Sequence, residues 1–180
     1  MASSTKKEEN FTVQSPYRFP NYIIPEVPVT DYALDAIEKN YEDLKDDIWV
    51  ADLIKGTSYK FRDIKPLTEK FASAITRLGF KKGEILYFVT YDVALIYIIQ
   101  LAVWRCGGGV RGCFQRELKE EYERQIREVS SHFILCDPET APSVTWATNQ
   151  LDWPVQLLSI GGSVEGAKAV EEMIQNDDGS

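Results

Sequence analysis

Residues 85–104 read ILYFVTYDVALIYIIQLAVW, from Ile85 to Trp104, with Asp92 as the one charge in twenty positions. A run of that length and polarity can cross a bilayer. It can also be a buried strand followed by a buried helix, and hydropathy alone does not separate the two. Three features favour strand plus helix. Lys81-Lys82-Gly83 ahead of the run is a turn signal. Residues 85–89 are β-branched and aromatic, as in a parallel strand covered on both faces. Asp92 stands where a helix over 93–105 needs an N-terminal cap. At mid-bilayer its carboxylate would cost about 2.5–3.5 kcal/mol. No transmembrane segment is expected.

Working outward, the pattern alternates. Toward the C-terminus, Gly107-Gly108-Gly109 leads into a brief strand near Val110, then a charged helix over 117–129. A strand at 132–136 ends at Asp137-Pro138, and a weaker helix at 140–148 precedes a strand at 155–160. Gly161-Gly162 then opens a helix at 164–174, with Val164, Ala167, Val170 and Ile174 on one face. Toward the N-terminus, a helix beginning at Asp63 carries Ile64, Leu67, Phe71, Ile75 and Leu78 inward and ends at Gly79. Strands at 48–53 and 58–61 flank Lys55-Gly56 as a hairpin. Thr30 or Asp31 caps a helix to about residue 45, with Leu34, Ile37, Tyr41 and Leu44 aligned. Residues 23–28 are extended by their prolines, and residues 1–22 form a tail without regular structure.

Strands alternating with helices predict an α/β layered domain. It has a parallel sheet of about four strands flanked by helices with right-handed crossovers, and an N-terminal helix and hairpin as an appendage. One such domain over 23–180 is the expected organisation for 180 residues.

Lys and Arg number 20 against 28 Asp and Glu, a formal charge of −8. That balance argues against nucleic acid as a partner and disfavours polyanionic ligands. Apolar residues at 44%, aromatics at 12%, are enough for a core. Cys106, Cys113 and Cys136 form no framework and no CxxC pair, which fits a reducing, intracellular compartment. Residues 1–10 are polar, with no signal-peptide core behind them.

No catalytic, cofactor-binding or metal-ligating residue can be assigned from local motifs. HExxH, GxSxG and GxxxxGK[ST] are all missing. The one histidine, His132, is at the mouth of a buried strand and reads as a packing residue. Gly107-Gly108-Gly109 precedes a strand, whereas a phosphate loop follows one and opens a helix. Gly161-Gly162 has the right place but lacks GxGxxG and has no basic residue before Lys168. Residues 116–124 read as a solvated helix face with i,i+4 pairs.

The ordered pieces nevertheless resemble a known series. Ile24-Pro25-Glu26-Val27-Pro28, the first helix, the hairpin, and Tyr59-Lys60-Phe61-Arg62-Asp63-Ile64 resemble the opening of the adenylate-forming AMP-dependent synthetases and ligases. The likeness is to the branch of 4-coumarate–CoA ligase, insect luciferase and acyl-CoA synthetases. Leu78-Gly79-Phe80-Lys81-Lys82-Gly83-Glu84 resembles that family's L-G-V-x-K-G-D, and Gly108-Gly109-Val110 its Gly-Ala-Val strand entry. The run 118–125 is similar to T-x-x-E-L-x-x-Q, and Phe133-Ile134-Leu135-Cys136-Asp137 to L-I-I-T-D. Three departures stand out. Thr90-Tyr91-Asp92 replaces Leu-Pro-Asn, Phe114-Gln115-Arg116 replaces an Asn-Pro turn, and Lys60 stands at a usual Ser or Thr.

The resemblance implies the front part of the large N-terminal domain of an ATP-dependent acid–thiol ligase, which forms an acyl- or aryl-adenylate and then a thioester. ATP, Mg²⁺ and CoA are implied for a full-length member and none for this chain. On this correspondence the family's phosphate loop lies beyond Ser180, so the chain is expected to be inactive alone and no family site residue carries over. The implied partner is the remainder of a ligase domain or a homologous chain. Self-association is the other outcome, through apolar residues of 96–103 and 155–160 that lose their cover. The expected location is intracellular, cytoplasmic or peroxisomal. Two other readings stand beside the ligase: a short non-catalytic relative or splice product acting through protein contact, and a flavodoxin-like regulatory or nucleotide-binding module.

Overall fold

The computed structural model describes residues 25–180. The tail read at 1–22, and the start of the extended segment at 23–24, lie outside the described residues.

The decisive stretch folds as a strand and a helix. β1 (Ile48–Asp52) and β2 (Thr57–Lys60) come first as the hairpin, and β3 (Ile85–Val89) is the strand within 85–104. β4 (Gly109–Gly112), β5 (Phe133–Cys136), β6 (Gln156–Ser159) and β7 (Lys168–Ala169) complete the strands. The helices are α1 (Val29–Lys39), α2 (Tyr41–Leu44), α3 (Phe61–Arg77), α4 (Leu95–Arg105), α5 (Lys119–Val129), α6 (Ala141–Thr148) and α7 (Val170–Asn176). Among the described residues no helix is long and apolar enough to cross a membrane.

The main sheet is parallel, in the order β4-β3-β5-β6-β7. Leu86 of β3 faces Val110 on one side and Phe133 on the other. The period-2 alternation of strands sorts the core into two clusters. Leu86, Phe133, Leu135 and Leu158 pack with Phe71 and Ile75 of α3, Ile98 and Ile99 of α4, and Val170 of α7. Tyr87, Val89, Ile134 and Cys136 pack beneath Tyr122 and Ile126 of α5 and Val144 of α6. Helices therefore cover both faces, which is what lets the strands be nearly continuous apolar runs. Each fully buried Leu, Ile or Phe contributes about 1.5–3 kcal/mol of transfer free energy.

Several boundaries differ from the sequence reading. Thr30 is inside α1, where its hydroxyl donates to the Leu101 carbonyl of α4 at 2.8 Å. The first helix breaks at Asn40, so Tyr41 and Leu44 belong to α2. α3 starts at Phe61, with Asp63 accepting the Lys60 N–H at 2.8 Å as its cap. The helix begins later than expected, at Leu95 with Ala94 as its N-cap residue, and Asp92, two residues earlier, accepts the N–H groups of Ala94 and Leu95 at its start.

The largest correction is at the end of the chain. The helix read at 164–174 exists only from Val170. Gly166 at φ +76 takes the backbone out of the helical region, and Lys168-Ala169 pair with Leu158-Ser159 as a fifth strand. The four residues aligned on paper are thereby split: Val164 packs on the α5–α6 side, Val170 and Ile174 on the α3–α4 side.

Candidate functional site

In an open parallel sheet, ligands bind beyond the carboxyl ends of the strands, where the strand order reverses. β3 connects to β4 on one side and β4 returns to β5 on the other, so the reversal lies between β3 and β5. Thr90-Tyr91-Asp92 leave β3 there, and Asp137 leaves β5.

The crevice is filled by the chain's own carboxylate. Asp137 is 2% exposed. It accepts the Thr90 hydroxyl at 3.1 Å, the Thr140 N–H at 2.9 Å and the Tyr91 N–H. Thr140 in turn donates its hydroxyl to Val89 O at 2.8 Å and accepts the Asp137 N–H. Thr90 Oγ1 accepts the Asp92 N–H at 2.9 Å, and Asp92 Oδ1 takes the N–H groups of Ala94 and Leu95 at 3.0 and 2.8 Å. On the next strand, the Gly161 N–H goes to Glu171 Oε1 at 2.6 Å. Lys55, from the hairpin turn, places its Nζ 3.8 Å from Asp92 Oδ2.

This arrangement decides what the crevice can hold. Phosphate recognition needs backbone N–H groups aimed at the anion. Here the N–H groups of Tyr91, Asp92, Ala94, Leu95, Thr140 and Gly161 each have an internal acceptor, and three carboxylates stand among them. A triphosphate would meet Asp92, Asp137 and Glu171 with Lys55 as the nearby cation, so ATP does not fit. No group of three or more His, Cys, Asp or Glu is placed to hold a metal among the described residues.

The motifs noted in the sequence have structural roles. A side chain at Gly108 would meet the Phe80 ring at 2.4 Å, so that glycine admits close packing before β4. Gly161 and Gly162 both adopt positive φ, at +71° and +152°, and turn the chain away from a helix. His132 is exposed at the opposite, amino end of β5, with Nδ1 3.1 Å from Pro154 O. Arg124 pairs with Glu121 at 2.7 Å and Glu128 at 3.6 Å. Burial, then the Asp137 charge, pushes the Cys136 thiol up to about 12.

One feature had no signal in the sequence. Beyond the end of β4 lies a cavity of about 590 Å³ lined by Arg111, Cys113, Phe114, Glu121, Arg124 and Gln125. Two hydrogen bonds from Arg124 and one from Gln125 hold the Glu121 carboxyl down at about 2. Burial, then Cys113, raises the Tyr87 phenol behind the cavity above its ordinary value.

The reversal of strand order, the three layers and the appended hairpin define the α/β architecture of the N-terminal domain of adenylate-forming enzymes. The chain is 23% identical over 180 residues to 4-coumarate–CoA ligase-like 1 of Arabidopsis thaliana, across 99% of this chain and 31% of that protein. No protein-family model matches it. Among solved structures, the luciferase-like enzyme of the mealworm Zophobas morio superposes with a TM-score of 0.73 at 15% identity. That match covers 91% of this chain and 39% of the mealworm protein. An anthranilate–CoA ligase in complex with anthranoyl-AMP superposes at 0.72 with 19% identity, over 82% of this chain and 28% of that one. The resemblance to the adenylate-forming family holds, and the chain spans about a third of the length of the Arabidopsis relative.

Proposed function

We propose that this chain is the front scaffold of an ATP-dependent acid–CoA ligase fold and does not activate an acid by itself. The observation that carries the reading is the similarity to a 4-coumarate–CoA ligase-like protein across 99% of the chain. The spent donors at the β3–β5 reversal support the second half: the residues present do not fit ATP, so no step of adenylation is assigned to them. The functional unit is the segment 23–180, and its partner is the remainder of a ligase domain or a homologous chain. Three free thiols fit an intracellular, cytoplasmic or peroxisomal setting.

The strand order favours a second reading, a flavodoxin-like nucleotide-binding module, because that order carries its ligand at the same reversal. Asp137 in the crevice weighs against it.

The test is ATP–pyrophosphate exchange by the purified chain with a panel of fatty and aromatic acids. No acid-dependent exchange is expected, and clear exchange would overturn the reading. Mixing the chain with the unmatched portion of the Arabidopsis relative tests the scaffold role. Co-elution of the two is expected, and failure to associate counts against it.

A further inference from the structure

We propose that the outward face of α4 is a docking surface for the chain's own N-terminal segment, residues 11–24, which crosses it as a strap running from Pro25 to the hairpin. Nothing in the scaffold reading requires this contact.

α4 is apolar on nearly every side, and a helix of that kind is ordinarily buried all round. Leu95, Ile98, Ile99 and Ala102 point into the core shared with α3 and the sheet. Val93, Tyr97, Leu101 and Trp104, three and four residues apart, share the opposite side. Val93 and Tyr97 are 48% and 49% exposed, and Leu101 and Trp104 are half-buried. The apolar band continues past both ends of the helix. At one end the Trp49 ring of β1 meets Tyr97 edge-on at 6.3 Å, and Lys55 lies 3.8 Å from Asp92, with Leu53 and Ile54 exposed beside it in the hairpin turn. At the other end the Thr30 hydroxyl joins α1 to Leu101 O, with Val27, Val29 and Tyr32 exposed around that contact. A continuous exposed apolar surface of this kind marks a docking site.

Three observations select the occupant. Residues 11–24 read FTVQSPYRFPNYII, with seven large apolar side chains (Phe11, Val13, Tyr17, Phe19, Tyr22, Ile23, Ile24) and a single charge. That charge, Arg18, is opposite in sign to Asp31, Asp35 and Glu38 of α1. The segment joins the described chain at Pro25, next to Val27 and Val29, so one end of it is fixed at the edge of the band. Its reach is sufficient: fourteen residues extend over roughly 45 Å, and the eleven-residue α4 is roughly 16 Å long. Pro16 and Pro20 oppose a helix and remove two N–H donors, which suits the segment to side-chain contact with an apolar face rather than to a sheet edge. A short tether gives an effective concentration in the millimolar range, which favours the chain's own segment over a second copy in dilute solution.

The experiment places a photo-crosslinker in the full 180-residue chain as Phe19→p-benzoylphenylalanine. Irradiation should join position 19 to residues 48–54 or 93–104, with the product at the mass of one chain and the junction read by peptide mass analysis. Lys7→p-benzoylphenylalanine, in the polar end, should give no defined product. Tyr97→Asp puts a charge on the band and should lower the yield from position 19 about tenfold. Independently, Phe11→Ser, Tyr17→Ser and Phe19→Ser combined should uncover the band and raise binding of a hydrophobic dye several-fold over the unaltered chain. If Tyr97→Asp fails to fold, the crosslink at an unaltered Tyr97 and the dye comparison decide the matter. Products at the mass of two chains would make a second copy the occupant and overturn the proposal. Products scattered outside the band, no product from position 19, or equal dye binding by the serine variant and the unaltered chain each overturn it as well.

Discussion

At the end of β5, the Asp137 carboxylate accepts hydrogen bonds from Thr90, Tyr91 and Thr140, and the N–H groups of Asp92, Ala94, Leu95 and Gly161 beside it have acceptors of their own. At the end of β4, on the same edge of the same sheet, Arg111 keeps donors that nothing in the fold uses. Only the first lies at the reversal of strand order, the position associated with ligand sites; β4 is the edge strand. The difference lies in how many polar groups the fold consumes. At the reversal point the inward turn of a buried carboxylate has converted the expected binding crevice into a structural knot. At the periphery a cavity of about 590 Å³ remains beside Arg111, whose one hydrogen bond is to Gly112 O at 3.4 Å. Topology marks where a site can be, and the hydrogen-bond inventory says whether it is open.

The sharpest break of that comparison is Asp137→Ala. It removes the acceptor of three donors, two of them backbone N–H groups, in a buried setting. Buried donors left unsatisfied cost about 1–3 kcal/mol each, so a loss of about 3 kcal/mol is expected. Urea unfolding should show it as a lower midpoint with an unchanged slope. A loss below about 1 kcal/mol would mean the carboxylate is not a structural element. Asp92→Ala should cost less, about 1 kcal/mol, the ordinary value of a helix cap, because its partners sit at one helix end. Asp92→Asn should restore most of it, since the amide oxygen still accepts the two N–H groups. If both variants unfold alike, the Lys55 contact rather than the cap is what Asp92 contributes.

The smallest effect is acid dependence at the cavity wall. The Glu121 carboxyl is held down at about 2 from an ordinary value of 4.5, chiefly by Arg124. Its folded value is depressed, so the unfolded chain takes up the proton first as pH falls. The pair's contribution is fully present above 4.5 and is lost as pH drops toward 2. Asp178, held at about 2 by Ser180 and then Arg77, behaves the same way from 3.8. Both are solvent-screened, so the change is modest and shrinks with salt. Urea midpoints between pH 5 and 2 should fall less steeply for Glu121→Gln than for the unaltered chain; equal slopes would contradict the assignment.

Much of the fold was legible in the sequence because it rests on local pattern. Residues 85–89 appear as β3 with the same limits, and the helix faces of Ile64, Phe71 and Ile75 are buried as their spacing requires. The α7 region was misread because Val164, Ala167, Val170 and Ile174 satisfy helical spacing by chance. Gly166 at positive φ and the tertiary pairing of Lys168-Ala169 with β6 make the break. Asp137 read as a strand end, and the sequence held no sign that its side chain would turn inward to Thr90, 47 positions away. Arg111 was equally silent. An arginine in a glycine-flanked strand looks like a surface residue until the shape of the 113–118 turn puts a cavity beside it.

Closure of the β3–β5 reversal to phosphate is tested most directly by titrating Mg-ATP into the isotopically labelled chain. Amide resonances of Tyr91, Asp92, Thr140 and Gly161 should stay unmoved at millimolar nucleotide. A saturable shift of those four amides, weakened by competing ADP, would show the donors are available after all and contradict the claim.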